Sequence, residues 1–222
     1  MDNKEISFSS RGLKAKPSDS VIKRLPRYFR YLRILMREGV SRISSSELSV
    51  MMNVTASQIR QDLNCFGGFG QQGYGYNVEY LYTKICDLLG VDAGLCSVII
   101  GAGNLGRAIV RSNMFEKRGV DIVAMFDVNP ELVNQKIEQV EIRSLDNLEA
   151  FCESNKVDFA VLTLPKENAQ EVATRLVELG VRGFWNFTGQ ELELPEGAVV
   201  ENVHLGDSLM TLCYRITAED GE

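Results

Sequence analysis

The sequence is poor in the residues that build most catalytic and metal sites. Its 222 residues include one histidine, His204, so a zinc site or proton relay that needs several histidines is excluded. The five cysteines are scattered, the two nearest lie ten residues apart, and no Cys-x-x-Cys motif exists for a zinc ribbon or a thioredoxin site. No apolar run approaches the ~18 residues of a membrane span. These absences predict a chain without metal or membrane segment, with reduced cysteines and a cytoplasmic location.

Charge is distributed unevenly along the chain. The formal net charge is −6, and 45% of the residues are apolar, enough for one large or two smaller globular domains. Residues 1–85 contain 13 Lys and Arg against 7 Asp and Glu, a net charge of +6. Residues 86–222 contain 11 against 23, a net charge of −12. This asymmetry indicates a nucleic-acid-binding module joined to a second, acidic domain.

Residues 18–65 have the periodicity of three helices. We expect a basic amphipathic helix over residues 18–38, divided at Pro26 into a short entry turn and a main helix. Two capping boxes follow, Ser44 with Glu47 and Thr55 with Gln58, which satisfy the free N–H groups of a first helical turn. Only a tight turn separates the two short helices that these boxes open. The pattern predicts a helix-turn-helix unit.

The second short helix has a polar face and precedes a glycine-rich segment. Its outward side carries hydroxyl, guanidinium and amide groups, which bond base edges in a major groove; the alternative is an ordinary solvated face. Five glycines among residues 67–76 predict a hairpin, the wing of a winged-helix domain, although a purely structural turn is the alternative. The predicted DNA-binding residues are Arg11, Arg24, Ser57, Gln58, Arg60, Gln61, Asn64, Gln71, Gln72 and Tyr74.

The second half of the chain contains a glycine motif in its expected setting. A short apolar run at residues 96–100 leads into G-A-G-N-L-G at residues 101–106, and a helical pattern follows. A second apolar run ends at Asp127, 21 residues beyond Gly106, close to the offset of ~20 residues typical of dinucleotide-binding folds. The carboxylate would bond the adenine ribose and repel a 2′-phosphate, which favours NAD(H) over NADP(H). The alternative role of Asp127 is a turn at the strand end.

Strand and helix patterns then alternate to residue 187, which predicts a parallel sheet with helices on both faces. Ligands in such folds sit beyond the carboxyl ends of the strands, so loops after two further strands are expected to line the nicotinamide end. The predicted cofactor-binding residues are Gly101, Ala102, Gly103, Asn104, Leu105, Gly106, Asp127, Thr163, Pro165 and Asn186. A last helix after His204 has an apolar stripe that needs either its own sheet or another subunit as a partner.

No substrate domain remains once these two units are assigned, so the dinucleotide is interpreted as a signal and the protein as a non-enzyme. Its binding would shift a dimer between two arrangements, one of which fits DNA. Two alternatives stay open. One is an NAD-dependent oxidoreductase with a helical N-terminal appendage. The other is a Rossmann-like protein that binds CoA or another nucleotide.

Four segments together resemble the Rex family of redox-sensing transcriptional repressors: K-R-L-P-R-Y at 23–28, Q-I-R-Q-D-L at 58–63, the glycine-rich 67–76 and G-A-G-N-L-G at 101–106. The resemblance implies a homodimer whose C-terminal helix is swapped between the two subunits. It also implies that NADH binding releases this dimer from a palindromic operator. We therefore expect a flexible tail at 1–17, a winged-helix domain at 18–90, a Rossmann domain at 91–203 and the swapped helix with its tail at 204–222. Many family members have Lys at the position of Gln61 and Tyr at the position of Ser112, and some have Asp at the position of His204. The resemblance is therefore weakest for the operator contacts and for NADH sensing.

Overall fold

The computed structural model describes residues 17–65, 70–71 and 74–219, and the predicted DNA-binding residues Arg11 and Gln72 lie outside these ranges. The chain forms two compact units that divide between Val91 and Asp92. Each unit has its own buried core. No helix of the described ranges is long and apolar enough to cross a membrane.

The first unit is a winged helix-turn-helix. Its elements are α1 (Asp19–Arg37), β1 (Arg42–Ile43), α2 (Ser45–Met52), α3 (Ala56–Cys65), β2 (Gly70–Gln71), β3 (Gly75–Asn77) and α4 (Val78–Leu89). The turn between α2 and α3 passes through Asn53, whose left-handed backbone (φ 47°) suits a residue that ends a helix. The strands pair antiparallel in the order β1-β3-β2. Helix α3 packs on the core through Ile59 and Leu63, which confirms the predicted architecture.

The predicted break at Pro26 is wrong, because α1 runs without interruption through this residue. Proline removes one helical N–H and leaves the carbonyl of Ile22 without its helical partner. Ile22 lies on the exposed side of the helix, where water can take that place. Leu25 and Tyr28, on either side of the proline, are both buried in the same core. Burial on both sides therefore outweighs the single lost hydrogen bond.

The second unit is a Rossmann-type layered domain. Its elements are β4 (Leu95–Ile100), α5 (Asn104–Arg111), β5 (Val120–Asp127), β6 (Lys136–Ile137), β7 (Val140–Ser144), α6 (Leu148–Ser154), β8 (Phe159–Leu162), α7 (Lys166–Glu178), β9 (Gly183–Asn186), β10 (Val199–Asn202) and α8 (Leu205–Glu219). The sheet order is β10-β9-β8-β4-β5-β7-β6, parallel except for β6. Without β6 this is the 3-2-1-4-5-6 order of doubly wound folds, and the order reverses at β4 and β8.

Successive residues of the central strands point to opposite faces of this sheet. Val98 and Ile100 of β4 join a core with α6 and α7, whereas Ile99 joins a second core with α5. Helices on both faces are therefore confirmed. The sequence patterns did not predict β6 or β10. Strand β6 has two residues, and β10 is an edge strand with Val199 exposed, so neither carries a readable apolar pattern.

Candidate nucleotide-binding and DNA-binding sites

The glycine motif forms the loop between β4 and α5, at the point where the strand order reverses. A Cβ at Gly101, which has a φ of 101°, would lie 2.7 Å from the carbonyl oxygen of Thr163. A Cβ at Gly106 would lie 2.2 Å from the carbonyl oxygen of Gly101. Both positions therefore require glycine for close packing of the backbone. A Cβ at Gly103 would meet nothing within 4 Å, and this exposed position faces open space.

The start of α5 presents backbone N–H groups. The loop N–H groups of Gly101 and Ala102 bond the carbonyl of Phe126 and the carboxylate of Asp127. A helix leaves its first N–H groups without intrahelical partners. Those of Asn104 and Leu105 belong to exposed residues of the first turn of α5. Oriented N–H groups and the positive end of a helix dipole make this turn suited to a phosphate.

Asp127 ends β5 beside this loop and holds two backbone groups. Its Oδ2 accepts from the Ala102 N–H at 2.6 Å, and its Oδ1 accepts from the Asn129 N–H at 2.9 Å. The strand-end turn that we considered as an alternative is therefore present. A carboxylate has about four acceptor positions, so two remain for ribose hydroxyl groups. Asp127 can thus shape the loop and bind a ribose at the same time.

A cleft of about 250 Å³ opens beside the loop and Asp127. Its walls include Gly101 and the apolar side chains of Val128, Leu145, Leu164 and Pro165. Apolar walls suit a flat base, and the acid at the strand end suits a ribose. The residues present therefore fit the adenosine half of a dinucleotide, with its phosphates toward the first turn of α5.

Two residues expected at the nicotinamide end have other roles in the structure. The Thr163 hydroxyl shares its one hydrogen between the carbonyls of Gly101 at 2.8 Å and Ile100 at 3.1 Å, which links the end of β8 to the glycine loop. The buried Asn186 amide donates to the Gln190 carbonyl and to Asn202 Oδ1. Its oxygen accepts two bonds from Thr188. The Asn186 side chain has no capacity left for a cofactor, and its predicted contact gains no support here.

Ser112 and His204, where the family resemblance is weakest, have local partners. The Ser112 hydroxyl donates to the Ile109 carbonyl of its own helix at 2.7 Å. His204 Nε2 lies 3.4 Å from Glu191 Oε1.

Helix α3 exposes the face expected to contact DNA. Ser57, Arg60, Gln61 and Asn64 are exposed. Arg60 Nη1 donates to Ser45 Oγ at 3.2 Å, so this guanidinium lies beside the start of α2. All of these groups can approach a groove without rearrangement of the core.

The wing contributes an exposed aromatic residue. Tyr74 is 69% exposed, and its carbonyl accepts from Arg42 Nη1 at 3.1 Å. Arg42, which sequence reasoning missed, thereby links β1 to the wing. Gln71 lies in β2 and pairs with Gly75.

Arg24 is not a free cation, because Asp62 of α3 holds it. Arg24 Nε and Nη2 donate to the two oxygens of Asp62 at 2.7 and 2.8 Å. Tyr28 and Gln58 donate to the same carboxylate. Burial raises the pKa of Asp62, but the hydrogen bonds from these three residues outweigh burial and hold it below its ordinary value. We call Arg24, Tyr28, Gln58 and Asp62 the Asp62 cluster.

Sequence reasoning missed the Asp62 cluster, although a signal was available. Helical counting places Asp62 on the inward side of α3 with Ile59 and Leu63, where an acid needs a buried partner.

The Asp62 cluster also changes one of the two predicted capping boxes. Ser44 and Glu47 form a complete capping box, but at the second box only Thr55 accepts its bond, from the Gln58 N–H. The Gln58 side chain turns to Asp62 instead.

The fold and these two sites define a class of protein, the regulators that join a winged-helix DNA-binding domain to a Rossmann nucleotide-binding domain. Family models match both parts, a putative DNA-binding protein N-terminus over residues 17–64 and a CoA binding domain over residues 97–189. The chain is 53% identical to the redox-sensing transcriptional repressor Rex of Thermoanaerobacter pseudethanolicus, over 93% of this chain and 92% of that one. The chain belongs to the Rex family of redox-sensing transcriptional repressors.

Further relatives support the same family. The chain is 54% identical to Rex of Clostridium botulinum strain Alaska E43, over 90% of this chain and 95% of that one. The crystal structure of RSP in complex with beta-NAD+ and operator DNA matches with a TM-score of 0.88 and 52% identity, over 93% of this chain and 95% of that one. RSP in complex with beta-NADH matches with a TM-score of 0.86 and 49% identity, over 93% and 97%. The names of these relatives point to a regulator.

Proposed function

We propose that this protein is a transcriptional repressor that senses the NADH/NAD+ ratio and that NADH binding releases it from operator DNA. The observation that carries the proposal is the presence in one chain of a glycine loop with an adenosine-sized cleft and of an exposed recognition helix. RSP, about half identical to this chain, has been solved with beta-NAD+ and operator DNA and with beta-NADH. A regulatory rather than a catalytic role agrees with the names of these relatives. A cytoplasmic location agrees with the two proposed ligands, DNA and NAD(H).

The proposed cofactor site uses the groups that the geometry leaves available. The N–H groups of Gly103, Asn104 and Leu105 would hold the pyrophosphate, and Asp127 would hold the adenine ribose. Pro165 would contact the adenine rather than the nicotinamide. Gly101, Ala102, Gly106 and Thr163 would act by shaping the loop. When bound, NAD(H) supplies a nicotinamide ring whose redox state the protein distinguishes.

The proposed DNA contacts fall into two groups. On α3, Ser57, Gln58, Arg60, Gln61 and Asn64 would enter the major groove. On the wing, Tyr74 and Gln71 would lie along the DNA backbone. Arg11 and Gln72 keep their predicted backbone contacts as part of this proposal. Arg24 would contribute through its place in the Asp62 cluster.

We propose that the protein acts as a homodimer that exchanges α8. The described side chains of α8 are exposed throughout, so packing on its own sheet, one of the two expected partners, is not what the single chain does. Its large apolar side chains are between 54% and 73% exposed: Leu205, Leu209, Met210, Leu212, Tyr214 and Ile216. An isolated helix of 15 residues is marginal in water, and such a patch marks a contact surface. A two-fold dimer would require an operator with two symmetric half-sites.

One titration tests the function. Full-length protein with NAD+ would first enrich an operator from a randomised duplex library, and its affinity would then be measured at fixed total nucleotide while the NADH fraction rises. We expect the affinity to fall with the NADH fraction, and to fall steeply with salt because phosphate contacts release counterions. Binding that ignores the NADH/NAD+ ratio would contradict the sensor. The same titration with coenzyme A in place of NADH tests the CoA alternative, which a fall in DNA affinity would support. Consumption of NADH during the experiment would favour the oxidoreductase alternative.

Arg60→Ala is expected to abolish specific operator binding and to leave NADH affinity unchanged. A good contact between a side chain and a base discriminates by about 1–3 kcal/mol, and the proposed dimer makes it twice. Operator binding is measured by fluorescence anisotropy and NADH binding by nucleotide fluorescence. Arg37→Ala, which removes the same charge from an exposed site at the end of α1, is the matched control. Loss of NADH binding along with DNA binding would instead indicate misfolding.

A further inference from the structure

Asp62 is a fully buried carboxylate in the helix that we propose to enter the major groove. Its Oδ2 accepts from Arg24 Nε at 2.7 Å and from the Tyr28 hydroxyl at 2.9 Å. Its Oδ1 accepts from Arg24 Nη2 and from Gln58 Nε2, both at 2.8 Å. Four donors therefore occupy both oxygens. A buried ion pair is weak evidence for stability, since apolar residues of similar size often stabilise as much. Its directional effect on its neighbours is the more informative property.

The carboxylate determines which way the Gln58 amide faces. An ionised carboxylate only accepts hydrogen bonds, so Gln58 must turn its NH2 group toward Asp62. The Oε1 atom and the second N–H of Gln58 then point away from Asp62. Within the described ranges no buried side-chain oxygen or nitrogen lacks a partner, so the partially buried Gln58 keeps its free oxygen open to solvent.

An open amide oxygen beside an N–H selects among groups on DNA. A phosphate only accepts hydrogen bonds, so the oxygen cannot bond it. In the major groove adenine presents an amino donor at N6 next to an acceptor at N7, which matches one oxygen and one N–H. Guanine presents two acceptors, O6 and N7, and needs two donors. Gln58 could supply both donors only by withdrawing its NH2 group from Asp62.

We propose that Asp62 is a positioning residue for base selection. It holds the Gln58 amide so that α3 prefers adenine to guanine at one base pair of each half-site. Gln58 lies in the first turn of α3, the part of a recognition helix that contacts base edges. The inference rests on the proposed DNA-binding function and adds to it the residue that sets one base preference.

The test compares base preference among variants of the full chain. Operators are enriched from a randomised duplex library with the wild type, Asp62→Asn, Gln58→Ala and the double variant. The ratio of Kd values for guanine and adenine is then measured at the position that Gln58→Ala identifies. We expect a wild-type preference for adenine of about 10-fold, within the range for one base contact. An asparagine side chain can donate as well as accept, which frees Gln58 to turn, so Asp62→Asn should lose most of the preference.

The double variant and a control separate positioning from stability. If Asp62 acts through Gln58, the double variant should show the same base preference as Gln58→Ala alone. Tyr28→Phe removes a bond to Oδ2 but leaves the Gln58 bond to Oδ1, so it should keep the adenine preference even if it lowers the melting temperature. An Asp62→Asn protein that binds all sequences more weakly but keeps its full adenine preference would overturn the inference. Equal losses in Tyr28→Phe and Asp62→Asn would also overturn it.

Failure of the function and failure of the inference give different results. A wild-type chain that enriches no sequence would overturn the proposed DNA binding and the inference with it. A wild-type chain that enriches an operator, beside an unchanged preference in Asp62→Asn, would overturn the inference alone. If Asp62→Asn does not fold, Gln58→Ala can still overturn the inference, because it leaves the pair of Asp62 and Arg24 intact. An unchanged adenine preference in Gln58→Ala would show that Asp62 has no base contact to position.

Discussion

Replacing Leu209 and Leu212 of α8 with aspartate is expected to make the protein monomeric and to weaken operator binding by a factor of about 10²–10⁴. Both side chains are more than half exposed in the single chain and lie on the stripe proposed to contact a second copy. Two unpaired carboxylates in that contact would have to be desolvated, which costs several kcal/mol. A monomer would then bind one half-site without the gain from linking two. Light scattering measures the mass, and anisotropy measures the affinity for the enriched operator.

Thr211→Asp is the matched control for this variant. Thr211 lies off the stripe that Leu209 and Leu212 share by helical counting, so the same charge there should disturb the dimer much less. None of these three positions is buried in the single chain, so neither variant should unfold the two compact units, and thermal melting checks this. A Leu209 and Leu212 variant that stays dimeric and binds the operator normally would remove α8 from the proposed interface.

Asp127→Ala is expected to lower NADH affinity by about 10- to 100-fold, since a hydrogen bond to a charged group contributes ~1.5–3 kcal/mol. The structure gives the carboxylate more than one task. It accepts hydrogen bonds from the Ala102 N–H of the glycine loop and the Asn129 N–H of the next turn, and it lines the cleft proposed to hold the ribose. Its charge would also repel a 2′-phosphate, so the variant should lose preference for NADH over NADPH. Fluorescence titrations with both nucleotides measure the two effects.

Asp127→Asn separates the tasks of this residue. The asparagine oxygen can still accept one backbone N–H, but the negative charge is gone. We expect this variant to keep more NADH affinity than Asp127→Ala while losing similar discrimination against NADPH. Asp121→Ala, at an exposed position near the other end of β5, should change neither property. Unchanged nucleotide selectivity in both Asp127 variants would exclude this residue from the ribose site.

The parts of the fold predicted correctly are those whose signal is short in sequence. The glycine loop lies within six residues, and its flanking strand and helix are continuous with it. The cap of α2 pairs Ser44 with Glu47, three positions apart. Pro26 shows the limit of predictions from local sequence. The tendency of proline to break a helix is outweighed there by the burial of residues on both sides of it. Strands β6 and β10 are short or exposed, and only their neighbours in the sheet make them strands.

At the nucleotide-binding and DNA-binding sites, too, local sequence did not predict which partners the side chains bond. Thr163 and Asn186 were placed correctly at the carboxyl ends of strands, but the direction of their hydrogen bonds gave them structural roles. Arg24 was predicted to contact DNA, and Asp62, 38 residues away in the sequence, holds its guanidinium. Spacing along the chain could not indicate these partners.

By itself, then, the sequence determined the two-part plan of this protein. A positive half carries the helix-turn-helix signals, a negative half carries the dinucleotide motif, and a net charge of −6 conceals both. These features depend on composition and on contacts within one or two helical turns, which a linear pattern contains. Tertiary structure alone decided that Asp62 faces Arg24, that Asp127 bonds Ala102, and that the described side chains of α8 are exposed. Hydrogen bonds and burial act through space at a few ångströms, and only the folded backbone brings residues so distant in sequence within that range.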